Sequence, residues 1–161
     1  MREELKTRKN NRLKEFHYKS GYSYFITVCT KDRACLLSEI SVGEDTILPQ
    51  LSEYGQAVKK LLLSIPDYYE CARIDEYVIM PNHIHFILTL NNDGRIISSP
   101  TISTIVGQFK RASSKSVGFS LWQRSFYDHV IRNRQDYEEI RKYIWNNPQK
   151  WEIDELFSLE N

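Results

Sequence analysis

Residues 71–90 read CARIDEYVIMPNHIHFILTL, and this stretch decides the fold. Both of its halves are rich in β-branched and aromatic residues, which favour β-strands. Between them stands the Pro81-Asn82 dipeptide, which is typical of tight turns. Residues 71–80 and 83–90 are therefore predicted to form two antiparallel strands joined by a short turn.

The second of these strands carries two histidines. Successive side chains of a strand point to opposite faces, so Ile84 and Phe86 are predicted to face the core. His83 and His85 share the other face, with Cα atoms about 6–7 Å apart. Two imidazoles at that separation can bind one cation, although a third ligand must then come from elsewhere. The alternative is that both histidines are ordinary polar surface residues.

Strands and helices alternate on either side of this hairpin. The predicted strands are residues 22–30 and 125–132, and the predicted helices are residues 51–64, 102–116 and 134–147. A short extra hairpin is expected between residues 31 and 50, around Gly43. The order β-α-β-β-α-β-α begins with the ferredoxin-like, split βαβ arrangement that RNA-recognition (RRM) domains share. It predicts an α+β fold in which an antiparallel sheet packs against helices and a C-terminal helix is added.

The length and composition fit a single domain. A chain of 161 residues with 41% hydrophobic residues can bury a core of its own. Residues 1–17 are predicted to form a basic arm, residues 18–152 the core of the domain, and residues 153–161 an acidic tail. The three cysteines lack metal-binding spacing, which indicates reduced thiols, and no segment is long enough to span a bilayer. A cytoplasmic protein without a membrane partner is therefore expected.

Cationic residues are unevenly distributed along the chain, although the net charge is only +1. Residues 1–20 carry seven lysines and arginines against three glutamates. Residues 104–124 carry four cations and no acidic residue. Such clusters suit a partner with a phosphate backbone. The alternative is ordinary solvated charge.

The predicted last helix brings two chemically useful residues together. Tyr143 and Asn147 are four residues apart and lie on one helical face. Ile140 and Ile144 form a neighbouring apolar stripe that is expected to dock on the sheet. If this helix crosses the histidine face, Asn147 offers a carbonyl oxygen to a cation and Tyr143 a phenolic oxygen beside it. The alternative is that Tyr143 is one of ten tyrosines that mostly pack, and that Asn147 merely ends a helix before Pro148.

Three blocks of sequence resemble a known family. They are residues 77–85 (YVIMPNHIH), 121–133 (LWQRSFYDHVIRN) and 143–148 (YIWNNP). In this order and at these separations they resemble the single-tyrosine HUH transposases of the insertion-sequence 200-like group, and most nearly the REP-associated tyrosine transposase branch. Residues 21–27 (GYSYFIT) are similar to that family's first strand, so the resemblance spans about residues 18–152.

The resemblance implies a metal-dependent tyrosine DNA nuclease and transposase. His83 and His85 match the family's paired metal histidines, and Asn147 matches its third metal ligand. Tyr143 matches the nucleophile. The implied cofactor is a divalent cation, Mg²⁺ or Mn²⁺. The implied reaction is endonuclease cleavage and strand transfer of single-stranded DNA next to a hairpin, at a repeat or transposon end, through a 5′-phosphotyrosine intermediate.

Contacts to single-stranded DNA are expected from basic and aromatic residues. The candidate DNA-binding residues are Arg12, Lys14, Lys110, Arg111, Lys115, Trp122 and Arg124. Further candidates for stacking on bases are Tyr22, Tyr24, Phe126 and Tyr127. For most of these aromatic residues the alternative is core packing. The resemblance allows either a monomer or a homodimer.

Three other functions stay open at this level. A non-catalytic module with an RRM-like fold would bind hairpins or single-stranded nucleic acid without using Tyr143 or a metal. A zinc hydrolase would need another ligand, and only His17 and His129 remain as histidines. A host-domesticated descendant would act on repeat hairpins without mobilising itself, and the residues do not distinguish it from an active transposase.

Overall fold

The computed structural model describes residues 22–41, 48–91 and 100–153. The strands within these ranges are β1 (Tyr22–Cys29), β2 (Ser38–Ile40), β3 (Pro49–Leu51), β4 (Ala72–Ile79), β5 (His83–Leu90) and β6 (Tyr127–Ile131). The α-helices are α1 (Glu53–Leu63), α2 (Ile65–Tyr68), α3 (Ile102–Val117) and α4 (Arg134–Asn146), and short 3-10 helices occupy Lys31–Arg33 and Pro148–Ile153. Every helix in the described part of the chain is too short or too polar to cross a lipid bilayer.

Four of the strands form one antiparallel sheet in the order β4-β5-β1-β6. The central strands β1 and β5 pair along their whole length, from Tyr22 opposite Leu90 to Cys29 opposite His83. This is the strand order of the split βαβ arrangement, so the predicted α+β, ferredoxin-like fold is confirmed. The extra hairpin expected between residues 31 and 50 is present as the antiparallel pair β2-β3. Gly43 lies outside the described residues.

One face of the sheet packs against α1 and α3. Apolar residues recur on both helices at three- and four-residue spacing, which gives each helix an apolar stripe. Alternate residues of β1 and β5 meet these stripes in the main core. Fully buried examples are Ile26, Leu62, Phe86 and Ile105. Burial of a large apolar side chain of this kind contributes about 1.5–3 kcal/mol.

The opposite face of the sheet packs against α4. Ile140 and Ile144 of this helix lie on Phe25, Ile87 and Ile131, so the docking stripe predicted for the last helix is confirmed. Because β5 is covered on both faces, its two histidines are buried. The interpretation of these histidines as polar surface residues is therefore wrong.

A close backbone approach joins the β2-β3 hairpin to α1. Ser52 begins α1 by accepting a hydrogen bond from the backbone N–H of Gly55, with an N···O distance of 3.1 Å. A Cβ atom on Gly55 would lie 2.0 Å from the carbonyl oxygen of Leu37. Glycine is the residue that permits so close an approach.

The end of α4 differs in detail from the prediction. The α-helix ends at Asn146, one residue before the predicted end. The chain then continues as a 3-10 helix over Pro148–Ile153. Proline ends the α-helical hydrogen-bond ladder, but its fixed φ suits the first turn of a following helix. Trp151 in this 3-10 helix contacts His83, so the backbone beyond α4 stays on the same face of the sheet.

Candidate active site

The two histidines of β5 lie side by side at the start of the strand. The ring centroids of His83 and His85 are 4.5 Å apart, and the residues are 0% and 2% exposed. Nδ1 of His83 is 2.7 Å from the amide oxygen of Asn82, and Nδ1 of His85 is 2.8 Å from the hydroxyl of Thr27. An amide oxygen only accepts, so His83 donates from Nδ1 and its Nε2 keeps a lone pair. The hydroxyl of Thr27 both accepts and donates, so it permits the same tautomer for His85.

The surroundings of His85 keep its ring neutral and oriented. Burial, and after it the neighbouring His83, hold the pKa of His85 well below its ordinary value of 6.5. Phe25 stacks on the imidazole with 5.2 Å between ring centroids. A neutral imidazole whose other nitrogen is hydrogen-bonded is the form in which histidine binds metals. The hydrogen bond between His85 and Thr27 and the stacking of Phe25 therefore fix the orientation of the ring.

Helix α4 brings Tyr143 to the histidine pair. The ring centroids of Tyr143 and His85 are 5.3 Å apart. Tyr143 also meets Phe25 edge-on, with 5.9 Å between centroids and an interplanar angle of 87°. It is 42% exposed, so a substrate can approach the phenol from solvent while the ring contacts the buried site. The β5 histidines and the tyrosine of α4 thus meet on one face of the sheet.

Asn147 lies one helical turn beyond Tyr143 and is only 2% exposed. The ring of His85 contacts Tyr143, and the ring of His83 contacts Trp151 with 6.1 Å between centroids. The end of α4 and the turn after it therefore run along the histidine pair. Asn147 stands midway between these two contacts along the chain, at the same four-residue spacing.

The polar atoms of this region fit a divalent cation. Nε2 of His85 and Oδ1 of Asn147 are buried without a hydrogen-bond partner. A buried, unsatisfied polar atom costs about 1–3 kcal/mol, so native structures keep few of them. In the ranges that the structure describes, no three His, Cys, Asp or Glu side chains are grouped for a metal. A cation here would rest on two imidazoles and one amide, a neutral donor set of the nitrogen and oxygen atoms that Mn²⁺ and Mg²⁺ accept.

Glu76 on β4 ties α4 to the edge of the sheet. Its Oε1 accepts a hydrogen bond from Nε of Arg141, and its Oε2 accepts one from Nε1 of Trp145, both at 2.9 Å. The guanidinium of Arg141 also lies 4.1 Å from the ring centroid of Trp145. We call Glu76, Arg141 and Trp145 the α4 clasp. Tyr143 stands between its two helical members and on the opposite side of the helix, so the clasp sets the rotation that turns Tyr143 toward the histidines.

A cleft of about 470 Å³ opens beside Tyr143. It lies between β1, the start of β6 and the segment that precedes β6, and we call it the side cleft. Its lining residues are Phe25, Thr27, Cys29, His85, Gln123, Ser125, Phe126, Tyr127 and Tyr143. The side cleft therefore shares a histidine and the tyrosine with the candidate active site.

The predicted DNA-binding cations are not gathered around the histidines. Arg111 and Lys115 are exposed on α3, which packs on the face of the sheet opposite α4. Arg124 is exposed within the segment that lines the side cleft, so it lies nearest to the candidate site in the chain. Arg12 and Lys14 lie outside the described residues.

Lys110 has a structural role that its position in the sequence did not indicate. Its half-buried Nζ donates to the carbonyl oxygens of Gln123 and Ser125 at 2.5 and 3.3 Å. Burial lowers the pKa of Lys110 below its ordinary value of 10.5. Two of the three donors of the ammonium thus hold the segment that lines the side cleft. Direct contact of Lys110 with DNA stays a prediction.

The prediction that Trp122 binds DNA by stacking on bases is wrong. Trp122 is 5% exposed and packs against Phe109 with 5.9 Å between ring centroids. Its Nε1 donates to the hydroxyl of Ser113 at 2.7 Å. An indole gains most from burial when its N–H finds such a partner, so Trp122 joins the main core. Tyr24, at 1% exposed, is excluded from stacking for the same reason, whereas Tyr127 is 56% exposed.

Some residues of the site were not identified from the sequence. Thr27 was detectable in principle, because it pairs with His85 across β1 and β5. Asn82 was detectable from its place immediately before the first histidine. Glu76 carries no local signal, because its partners are 65 and 69 residues away in the chain.

Comparison with known proteins shows what the chain is similar to. No family model matches the sequence. An uncharacterized protein of Haemophilus influenzae is 37% identical over 93% of both chains. The REP-associated tyrosine transposase of Escherichia coli is 29% identical over 83% of this chain and 70% of its own length. A solved structure of the REP-associated tyrosine transposase bound to a REP hairpin superposes with a TM-score of 0.64. Its sequence is 25% identical, and the match covers 84% of this chain and 71% of the solved chain. On these relationships of sequence and fold, the chain is homologous to the REP-associated tyrosine transposases.

Proposed function

We propose that this transposase cleaves and rejoins single-stranded DNA next to hairpins, with Tyr143 as its nucleophile. The observation that carries the proposal is the contact between Tyr143 and His85, whose ring centroids are 5.3 Å apart. The phenol of Tyr143 is partly exposed, whereas the imidazole of His85 is buried and neutral. A relative of the same fold has been solved with a REP hairpin, which supports a hairpin as the substrate.

In the proposed reaction the phenolic oxygen of Tyr143 attacks the scissile phosphorus. An Oη–P bond forms and the P–O3′ bond breaks, which leaves a 5′-phosphotyrosine and a free 3′-OH. The phenol loses its proton and the departing 3′ oxygen takes one up, so charge is conserved. Attack by the 3′-OH of another DNA end reverses the step and rejoins the strand without nucleotide hydrolysis.

The proposed metal ligands are Nε2 of His83, Nε2 of His85 and Oδ1 of Asn147. This set is supported by the tautomer that Asn82 favours for His83, by the same tautomer that Thr27 permits for His85, and by the burial of the three residues. All three ligands are neutral, so they do not reduce the charge that the phosphate meets. When bound, Mg²⁺ or Mn²⁺ supplies neutralisation of a phosphate oxygen and stabilisation of the leaving 3′ oxygen.

The residues around Tyr143 hold the nucleophile in place. Phe25 contacts both Tyr143 and His85, so one buried ring fixes the nucleophile relative to the histidine. The α4 clasp holds the helix from the other side. An attacking oxygen must approach phosphorus to about 3–3.5 Å in the correct direction, so small rotations of α4 would slow the reaction.

A covalent-adduct assay tests the proposal. A labelled hairpin with single-stranded flanks is incubated with the chain and Mn²⁺ or Mg²⁺, and the products are separated on a denaturing gel. We expect a covalent protein–DNA band that disappears in Tyr143→Phe and in EDTA. Tyr68→Phe is the matched control, because Tyr68 is 78% exposed on α2, and it should keep the band.

Each outcome of this assay decides one part of the proposal. A band that persists in Tyr143→Phe overturns the nucleophile, and a band that persists in EDTA overturns the cation. A chain that binds hairpins but forms no band with any of a panel of hairpins is instead a non-catalytic hairpin-binding module.

A further inference from the structure

The side cleft beside Tyr143 has no role in the mechanism above. Its volume of about 470 Å³ falls in the range of about 300–1,000 Å³ that is typical of pockets for small organic ligands. A single nucleotide is a ligand of that size. Because His85 and Tyr143 belong to both sites, a group bound in the side cleft is adjacent to the attacking phenol.

Three aromatic rings give the side cleft a shape that suits a planar base. Phe25 is 9% exposed and lies deepest of the three. Tyr127 and Tyr143 both meet it edge-on, at interplanar angles of 72° and 87° and centroid distances of 6.4 and 5.9 Å. Tyr127 is 56% exposed, so most of its ring is open to a group that enters from solvent. Stacking on exposed aromatic rings is a general means by which proteins hold unpaired bases.

The segment from residue 123 to residue 125, which also lines the side cleft, is held by hydrogen bonds from two sides. The backbone N–H of Gln123 donates to the carbonyl oxygen of Cys29 at 2.9 Å. From the other side, the ammonium of Lys110 binds the carbonyl oxygens of Gln123 and Ser125. A wall that is already ordered costs little conformational entropy when a ligand binds. The side chains of Gln123 and Ser125 supply the polar groups that line it.

The charge of this region suits an anionic ligand. No aspartate or glutamate is among the described residues that line the side cleft. Lys110 places a positive charge behind the wall, and Arg124 is exposed between Gln123 and Ser125 in the chain. A phosphodiester therefore approaches without carboxylate repulsion and close to two cations.

We propose that the side cleft binds one unpaired nucleotide adjacent to the scissile phosphate, with its base stacked on Tyr127 and its polar edge hydrogen-bonded by Gln123. The inference rests on the proposed function, because Tyr143 defines where the scissile phosphate lies. A base held in the cleft anchors the strand on one side of that phosphate. The amide of Gln123 both donates and accepts, so it distinguishes bases by their edges.

Equilibrium binding in a Tyr143→Phe background tests the inference separately from cleavage. Fluorescence anisotropy measures the dissociation constant of a flanked hairpin, and of a series in which one flank nucleotide at a time is abasic. We expect one abasic position to weaken binding about tenfold, within the range that aromatic–base stacking provides. Tyr127→Ala should weaken binding of the intact hairpin by the same factor, and Tyr127→Phe should bind as tightly as the parent.

The pairing of base and residue is tested by combining the two changes. On the critical abasic hairpin, Tyr127→Ala should cause no further loss of affinity, because the stacking partner is already missing. Gln123→Ala should reduce the differences in affinity among hairpins that carry different bases at that position. Tyr68→Ala, at the exposed tyrosine of α2, should change none of these values.

The inference is overturned if Tyr127→Ala and Tyr127→Phe bind the intact hairpin with equal affinity. It is also overturned if Tyr127→Ala weakens binding of the critical abasic hairpin by the same factor as binding of the intact one. Failure of the proposed function gives a different result. The Tyr127 and abasic changes would then weaken binding as expected, but the unmodified chain would form no covalent band. Absence of binding to every hairpin overturns both.

Discussion

Nε2 of His85 and Oδ1 of Asn147 have lost contact with water on folding and have gained no hydrogen-bond partner. The cost of such atoms is acceptable where they serve another purpose, and we propose that this purpose is to bind a cation. The alternation of side chains along β5 predicted that the two histidines share a face. It did not predict their burial, which depends on a helix 49 or more residues further along the chain.

Replacing Asn147 by alanine should remove most of the thermal stabilisation that Mn²⁺ provides. A ligand that binds only the folded state stabilises it by about 2.7 kcal/mol at 100 times its Kd, and loss of one of three protein ligands raises Kd. The measurement is Tm of the metal-stripped chain with and without Mn²⁺. Asn146→Ala is the matched control, because Asn146 is the exposed neighbour, and it should keep the effect. An unchanged rise of Tm in Asn147→Ala would contradict the assignment of this ligand.

Replacing Gly55 by alanine should lower the free energy of unfolding by about 1–3 kcal/mol, because the new Cβ would lie 2.0 Å from the carbonyl oxygen of Leu37. Gly107→Ala provides the control within α3, where the new Cβ would have no contact within 4 Å other than the adjacent backbone of its own helix. That variant should gain about 0.5–1 kcal/mol from helix propensity. Urea denaturation measures both. Equal stability of Gly55→Ala and the parent would show that the β2-β3 hairpin does not pack against α1 in this way.

Among the elements, α4 carries two residues of the candidate active site, Tyr143 and Asn147. Helical spacing predicted its extent to within one residue and its apolar stripe correctly. The same spacing placed Tyr143 and Asn147 on one face of the helix. What the stripe did not specify is the rotation of the helix, which the α4 clasp sets through a carboxylate on a distant strand.

Replacing Glu76 by alanine should loosen α4 and slow the formation of the covalent adduct. The lost hydrogen bonds are partly exposed, so we expect the free energy of unfolding to fall by only about 1 kcal/mol. The rate should fall further, by about tenfold, because a rotation of α4 misplaces Tyr143. Glu139→Ala is the control, since Glu139 is an exposed carboxylate of α4 that accepts a hydrogen bond from Gln135 of the same helix at 3.2 Å. Thermal melts measure the loss of stability, and single-turnover experiments measure the rate of adduct formation. A loss of stability with an unchanged rate would contradict the role of Glu76 in positioning Tyr143.

At the scale of the whole molecule, the sheet separates the main core from the candidate active site. Its α1–α3 face holds the main core, and its α4 face holds the histidines, Tyr143 and the side cleft. The cations that cluster in the sequence between residues 104 and 124 do not form one surface in the folded chain. In the folded chain Lys110 turns to backbone carbonyls, while Lys115 stays exposed on the face away from the histidines.

Replacing Arg124 by alanine should lower the affinity for a hairpin. It should also make that affinity less dependent on salt concentration. Each phosphate contact that is lost reduces the slope of log K against log salt concentration by about 0.7–0.9. Lys115→Ala removes the same charge from α3 and should have the smaller effect, because α3 lies on the opposite face of the sheet from α4. Affinity is measured at several salt concentrations. A larger change in slope for Lys115→Ala would place the DNA on the α3 face instead.

The sequence by itself determined the order of the elements, the shared face of the histidines, and the shared face of Tyr143 and Asn147. These features follow from alternation in strands and from helical spacing, which are properties of residues close together in the chain. Only the tertiary structure decided that α4 crosses the histidine face, that Trp122 enters the core, and that Thr27 and Glu76 support the site. The last two act over 58 to 69 residues of chain, and contacts of that range depend on how the completed sheet packs.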